Sequence, residues 1–220
     1  YWSLLIKKIH TILKNNKKLI AGNNHNDERC TQLNVNGNQI TDSKEIAAKF
    51  NEYFTNIGCS LAKKIPSVNG SFLDYIKHDV KNSIFFKPTT PEEIVKITAD
   101  FKTNKSSGCD NIAPKIAKGV IDYIAEPLCS IFNQSLETGC CPDKLKIAQV
   151  TPIYKSGDKT EVSNYRPISV LPFFSKILEK LVHNRLLEYI KKNNIITENQ
   201  FGFREKHSTY MALLELVDNI

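Results

Sequence analysis

The chain has 220 residues, 41% apolar and 24% charged, with a net charge of +7 and a pI of about 9.0. Such proportions suit a globular protein with a buried core, built as one large domain or two small ones. No apolar run approaches the roughly 20 residues of a membrane-spanning helix, and Tyr1–Ile6 is followed by Lys7-Lys8, the wrong order for a secretory signal.

Along the chain, Leu5, Ile9, Ile12 or Leu13 and Ile20 recur at helical spacing among lysines and predict a basic amphipathic helix over 1–20. Asn36-Gly37 predicts a hairpin turn between 32–35 and 38–40. Asp42 reads as the cap of a second helix, with Glu45 at the capping-box position and Ile46, Ala47, Phe50, Phe54 and Ile57 on one face. Pro66 to Pro88 reads as a linker or loosely packed stretch. A restart follows, with Thr90 as cap, Pro91 at the first helical position, Glu93 closing a capping box, and Ile94, Ile97 and Phe101 inside. Helices are expected over about 114–124 and 127–138, the second ended by Gly139. Val150–Tyr154 is β-prone, and Ser156-Gly157-Asp158 is a turn. Phe174, Ile177, Leu178, Leu181, Val182, Leu186, Leu187 and Ile190 define a long helix. A last helix starts at a Ser208 cap and is expected to bury Ala212, Leu213, Leu216, Val217 and Ile220. The class is α+β and helix-dominated, with a division into 1–89 and 90–220.

Six cysteines (Cys30, Cys59, Cys109, Cys129, Cys140, Cys141) form no C-x-x-C pair, and the histidines form no metal-ligand spacing. Reduced, mostly buried thiols of a nuclear or cytosolic protein are expected. Residues 141–206 hold twelve Lys/Arg against seven Asp/Glu, so much of the basic excess lies there. A nucleic-acid partner fits this balance.

Within that basic segment the order of motifs is specific. Gln149–Lys159 reads Q-V-T-P-I-Y-K-S-G-D-K. It is followed by Asn164-Tyr165-Arg166-Pro167-Ile168-Ser169, Ser175-Lys176-Ile177-Leu178-Glu179, Gln200-Phe201-Gly202-Phe203-Arg204 and His207-Ser208-Thr209. Lys105-Ser106-Ser107-Gly108-Cys109-Asp110 lies upstream. The series resembles the fingers and upper palm of reverse transcriptases of non-LTR (LINE, jockey-like) retrotransposons, strongly over 105–220 and weakly before it.

Several roles follow from the resemblance. Lys155 and Arg166 would flank a fingers hairpin and hold the triphosphate of an incoming dNTP, Lys as a mobile point charge and Arg as a planar fork. Lys105, Lys176, Gln200, Gly202 and Arg204 would lie beside an RNA template and DNA primer. For each there is a plainer reading: exposed basic residues on a surface hairpin, a solvated loop, a charged helix face, or phenylalanines packed under a helix cap. Mg²⁺ is implied by the family, but its ligands are not expected in this chain. There is no Asp-Asp pair, and Asp218 falls on a helix. The chain thus reads as a fragment of a longer polymerase, with no initiator Met, expected to be inactive alone and to need the remainder. The competing class is a non-catalytic nucleic-acid-binding or interaction protein derived from a decayed or co-opted element.

Overall fold

The computed structural model describes residues 30–35, 37–66, 70–71 and 82–218. The helix expected over 1–20, Asn36 of the turn, residues 67–69 and 72–81 of the expected linker, and Ile220 lie outside them. The described residues form a helix-dominated α+β fold with two separate antiparallel hairpins.

β1 (Leu33–Val35) pairs with β2 (Asn38–Ile40), Leu33 opposite Ile40, across a turn that holds Gly37 at φ +83°. α1 (Ser43–Ala62) starts where the Asp42 carboxylate accepts the N–H groups of Lys44 and Glu45 at 3.0 and 2.9 Å. α2 (Pro91–Ala99) starts where Thr90 Oγ1 accepts the Glu93 N–H at 3.3 Å. α3 (Pro114–Gly119) and α4 (Ile121–Thr138) meet at Val120, and α4 ends at Gly139 with φ +69°. The break therefore precedes the expected one, and Pro127 lies inside α4. A buried stripe of Ile121, Ile124, Ala125, Leu128 and Phe132 runs past the proline and offsets its missing N–H.

The short α5 (Asp143–Lys146) leads into β3 (Gln149–Tyr154), which pairs with β4 (Tyr165–Val170). Pro152 stands directly opposite Pro167 in this hairpin. α6 (Phe173–Lys192) and α7 (Thr209–Asp218) complete the chain.

Two cores result. The main one joins α2, α3, α4, α5 and the first half of α6, around Ile94, Ile124, Leu128, Phe132, Phe174, Ile177 and Leu181. The second holds Leu33, Ile46, Phe50 and Tyr165. α7 differs from expectation: none of its residues is buried, and Leu213, Leu216 and Val217 are exposed because no described element packs across them. The cysteines also differ. All six are free, but Cys59, Cys109 and Cys140 are exposed and the other three half-buried, since Cys109 and Cys140 lie in loops and Cys59 on the solvent side of α1.

Arg185 of α6 ties the main core together. Its Nε donates to Lys87 O at 2.6 Å, Nη2 to Pro88 O at 3.1 Å and Nη1 to Leu181 O at 3.1 Å. The same fork holds both oxygens of Glu93, at 3.1 and 2.9 Å. Thr89 Oγ1 donates to Glu93 at 2.8 Å, and the Thr89 backbone exchanges two hydrogen bonds with Asn133 of α4. Glu93 thus turns away from its own helix start, where a capping box was expected, because a guanidinium gives a stronger partner than a backbone N–H. The end of the expected loose stretch is likewise pinned along α6, by Arg185 and by Asn82, which bonds Asn193 and Tyr189.

Hydrogen bonding to Arg185 holds the Glu93 carboxyl below its ordinary value of 4.5. A depressed acid stabilises the fold above its unfolded pKa, and that contribution is lost as pH falls through the folded value. Stability should decline below about pH 4.5, and Glu93→Gln should lack that component. Arg185→Ala should cost about 2–3 kcal/mol in urea unfolding at pH 7. That is less than a fully buried pair, because Glu93 keeps partial access to water.

Candidate functional site

The β3–β4 hairpin places its two candidate cations on one face. Arg166 is the cross-strand partner of Ile153, and the Lys155 N–H donates to Asn164 O at 2.8 Å. Directly paired residues share a face, and faces alternate along a strand. Lys155 therefore stands on the same side as Ile153 and Arg166, one step toward the tip. Both side chains are exposed, and neither makes an ion pair or hydrogen bond among the described residues.

The tip between them is braced from within. Gly157 has φ +94°, and a Cβ there would come within 2.7 Å of Asn164 Nδ2. Tyr154 Oη donates to Gly157 O. Asp158 Oδ1 accepts the N–H and hydroxyl of Thr160 at 2.8 and 2.9 Å, and these bonds hold its carboxyl below the ordinary range. Lys159 Nζ lies 5.4 Å from the Tyr154 ring centroid, so this lysine packs as a cation on an aromatic face.

The base of the hairpin is fixed by the upstream loop. A Cβ on Gly108 would fall 2.5 Å from Pro172 N and 2.7 Å from Leu171 C, so the loop backbone lies against the corner joining β4 to α6. Asn111 N–H donates to Gly108 O at 3.0 Å, and Ile112 N–H donates to Asp110 Oδ1 at 3.2 Å. Burial pushes the Asp110 carboxyl up, opposed by that N–H and by Lys176. The loop thus acts as a spacer under the hairpin, while Lys105 stays exposed at its start.

Lys105 faces a groove along α6. A cavity of about 460 Å³ brings together Lys102, Lys105, Lys176, Lys180 and His183 with Asp100 and Glu179, over Phe101 and Phe173. The four ammonium groups have no hydrogen bond or ion pair among the described residues, whereas Lys49, Lys87, Lys146 and Lys191 pair with carboxylates. Lys180 and His183 also line an adjoining cavity of about 740 Å³ with Phe203, Arg204 and Lys206.

At that end Arg204 commits Nη1 to the carbonyls of Thr197, Glu198 and Gln200, at 3.0, 3.3 and 3.2 Å. Gln200 Nε2 donates to Gly202 O at 3.3 Å. Arg204 is therefore first a brace of this loop, and Phe203 is the side chain it presents, fully exposed at φ +59°. Sequence reasoning passed over Lys102, His183 and the steric role of Gly108. Lys176, Lys180 and His183 stand at i, i+4 and i+7, a one-face pattern legible in the sequence.

Residues 153–219 match the reverse transcriptase (RNA-dependent DNA polymerase) family. The chain is 34% identical over 149 residues to a probable RNA-directed DNA polymerase from transposon BS of Drosophila melanogaster, covering 67% of this chain and 16% of that protein. The chain is a relative of mobile-element reverse transcriptases. It is 33% identical over 146 residues to the RNA-directed DNA polymerase from mobile element jockey of the same fly, covering 66% and 16%. It is 30% identical over 187 residues to a putative 115 kDa protein in the type-1 retrotransposable element R1DM of that fly, covering 80% and 16%. The chain thus spans about a sixth of the length of these relatives, 16% in each case, and matches one segment of them. The family implies Mg²⁺; among the described residues no three His, Cys, Asp or Glu side chains converge on a point that could hold it.

Gly108→Ala should destabilise the chain by at least about 1–3 kcal/mol, because the new Cβ meets backbone rather than a flexible side chain. Urea unfolding of the variant checks this; an unchanged midpoint would mean that loop and corner separate freely.

Proposed function

We propose that the chain forms the fingers and the start of the palm of a mobile-element RNA-directed DNA polymerase. In this reading it grips the incoming dNTP and holds the RNA template and DNA primer. The carrying observation is the β3–β4 hairpin, which sets Lys155 and Arg166 on one exposed face, with no ion-pair partner among the described residues. Phosphoryl transfer is accelerated by cations that neutralise charge on the non-bridging oxygens and fix the phosphates in line for attack. Arg166 would supply two parallel donors, and Lys155 one mobile charge beside them. The groove containing Lys105 and Lys176 would take the phosphates of a nucleic-acid strand. The loop carrying Gln200, Gly202 and Arg204 would approach the same strand, with Phe203 available to stack on a base.

In a full-length polymerase carrying this segment, Arg166→Ala should lose about 1.5–3 kcal/mol of charge-assisted binding. That is roughly a 10- to 150-fold fall in kcat/KM for the incoming nucleotide. Lys155→Ala should lose less, because an ammonium makes fewer fixed hydrogen bonds. Lys144→Ala is the charge-matched control, exposed and remote from the hairpin tip; Lys159 is unsuited, since it packs on Tyr154. Equal losses in all three variants would reduce the hairpin to bulk charge.

The groove has its own test on the 220-residue chain. Binding to a single-stranded RNA oligonucleotide should weaken with salt, and Lys102→Ala/Lys180→Ala should reduce the log–log slope by about 1.4, or ~0.7 for each lost phosphate contact. An unchanged slope in fluorescence anisotropy would remove this groove from the interface.

A further inference from the structure

The middle of the β3–β4 hairpin packs on little. Val150, Ile153 and Ile168 each keep nearly half their surface in water, and Pro167 and Ser169 are exposed. A two-stranded hairpin by itself is marginally stable. Among the described residues, its base lies against Gly108 and its tip packs on residues about a hundred or more positions earlier.

At the tip, Tyr165 is buried with Leu33, Ile46 and Phe50, and Tyr154, Val162 and Phe54 pack around them. The Phe50 and Tyr165 rings meet edge to face at 4.9 Å, and Tyr154 meets Tyr165 at 5.7 Å. The Asn34 N–H donates to Thr160 O at 2.8 Å, and Tyr165 Oη donates to Lys159 O at 2.7 Å. Ile46 and Phe50 are the only buried residues described in α1, so the buried side of that 20-residue helix serves this cluster. Tyr154 directly precedes Lys155, and Tyr165 directly precedes Arg166.

We propose that the segment from Leu33 to Phe54 is a clamp on the hairpin tip, and that Phe50 and Asn34 are positioning residues for Lys155 and Arg166. The proposal rests on the nucleotide-grip reading of those two cations. Neither Phe50 nor Asn34 touches substrate; they fix the tyrosines from which the two cations emerge on the opposite face. A tip released from the clamp keeps its charges but loses their common aim. A misplacement of about 1 Å at a phosphate-binding group can cost on the order of 100-fold in rate.

Two measurements test this. Amide hydrogen exchange on the 220-residue chain compares the wild type with Phe50→Ala and with Asn34→Pro, which removes the N–H given to Thr160 and also fixes φ in the middle of β1. Protection over 153–166 should fall on the order of tenfold in both variants, with 177–181 of α6 unchanged and Phe50→Leu close to wild type. Steady-state kinetics of the full-length polymerase carrying Phe50→Ala should then show a 10- to 100-fold fall in kcat/KM for the dNTP that includes a rise in KM, on the order expected for misplacement. Loss of folded enzyme would instead lower kcat and leave KM alone. Unchanged protection over 153–166, or equal loss in α6, overturns the clamp. Lost protection with an unchanged KM supports the clamp and overturns the nucleotide-grip reading.

Discussion

The Arg185 guanidinium lies where α2, α6 and the extended residues 87–90 converge, and it donates five hydrogen bonds there. Taking a guanidinium out of water is costly unless its donors are met in geometry that fits, and the two carboxylate oxygens of Glu93 and three carbonyls meet them. Once α6 is anchored there, its first turn is fixed against the main core by Phe173, Phe174 and Ile177. The Leu171–Pro172 corner is then fixed as well, and Gly108 closes on it. The hairpin base and the lysine groove both take their positions from the same helix. One largely buried guanidinium on α6, paired with Glu93 of α2, thus sets the frame in which exposed charges elsewhere are presented.

Those exposed charges carry an electrostatic cost of their own. Lys102, Lys105, Lys176 and Lys180 face one cavity with only Asp100 and Glu179 among them, and like charges at such separations repel. High solvent exposure and salt keep the penalty small in the free chain. A polyanion would relieve it, so part of the binding free energy would come from repulsion already present. The same reasoning applies to Lys155 and Arg166, held on one face with no carboxylate partner among the described residues.

Elements governed by neighbours in sequence were legible before any coordinates. The caps at Asp42, Thr90 and Ser208, the stop at Gly139 and the turn through Gly157 depend on residues a few positions away, and all form as expected. The shared face of Lys155 and Arg166 was legible for the same reason, since strand alternation and a tight turn fix it. Contacts across long separations were not. Nothing local to Glu93 announces Arg185, 92 positions away, and nothing local to Phe50 announces Tyr165. The apolar spacing of α7 was read as a buried face, yet periodicity shows only that a face exists and not that something covers it. Arg204 looked like a ligand-facing cation because backbone carbonyls, which it braces, leave no signature in sequence.

The two prolines facing each other in the β3–β4 hairpin have a consequence for association between chains. Asn164 and Lys155 form a hydrogen-bonded pair, so alternation along the ladder makes Pro152 and Pro167 a non-hydrogen-bonded pair. Their nitrogens point outward, one to each free edge of the hairpin. A bare strand edge invites another strand to add to it, in the same molecule or the next, and needs an unbroken row of donors to do so. Here each edge lacks a donor at the same level, and neither proline interrupts the pairing inside. A strand added to either edge would therefore lose a ladder bond at that level, which disfavours edge-to-edge growth on a hairpin thinly packed through its middle.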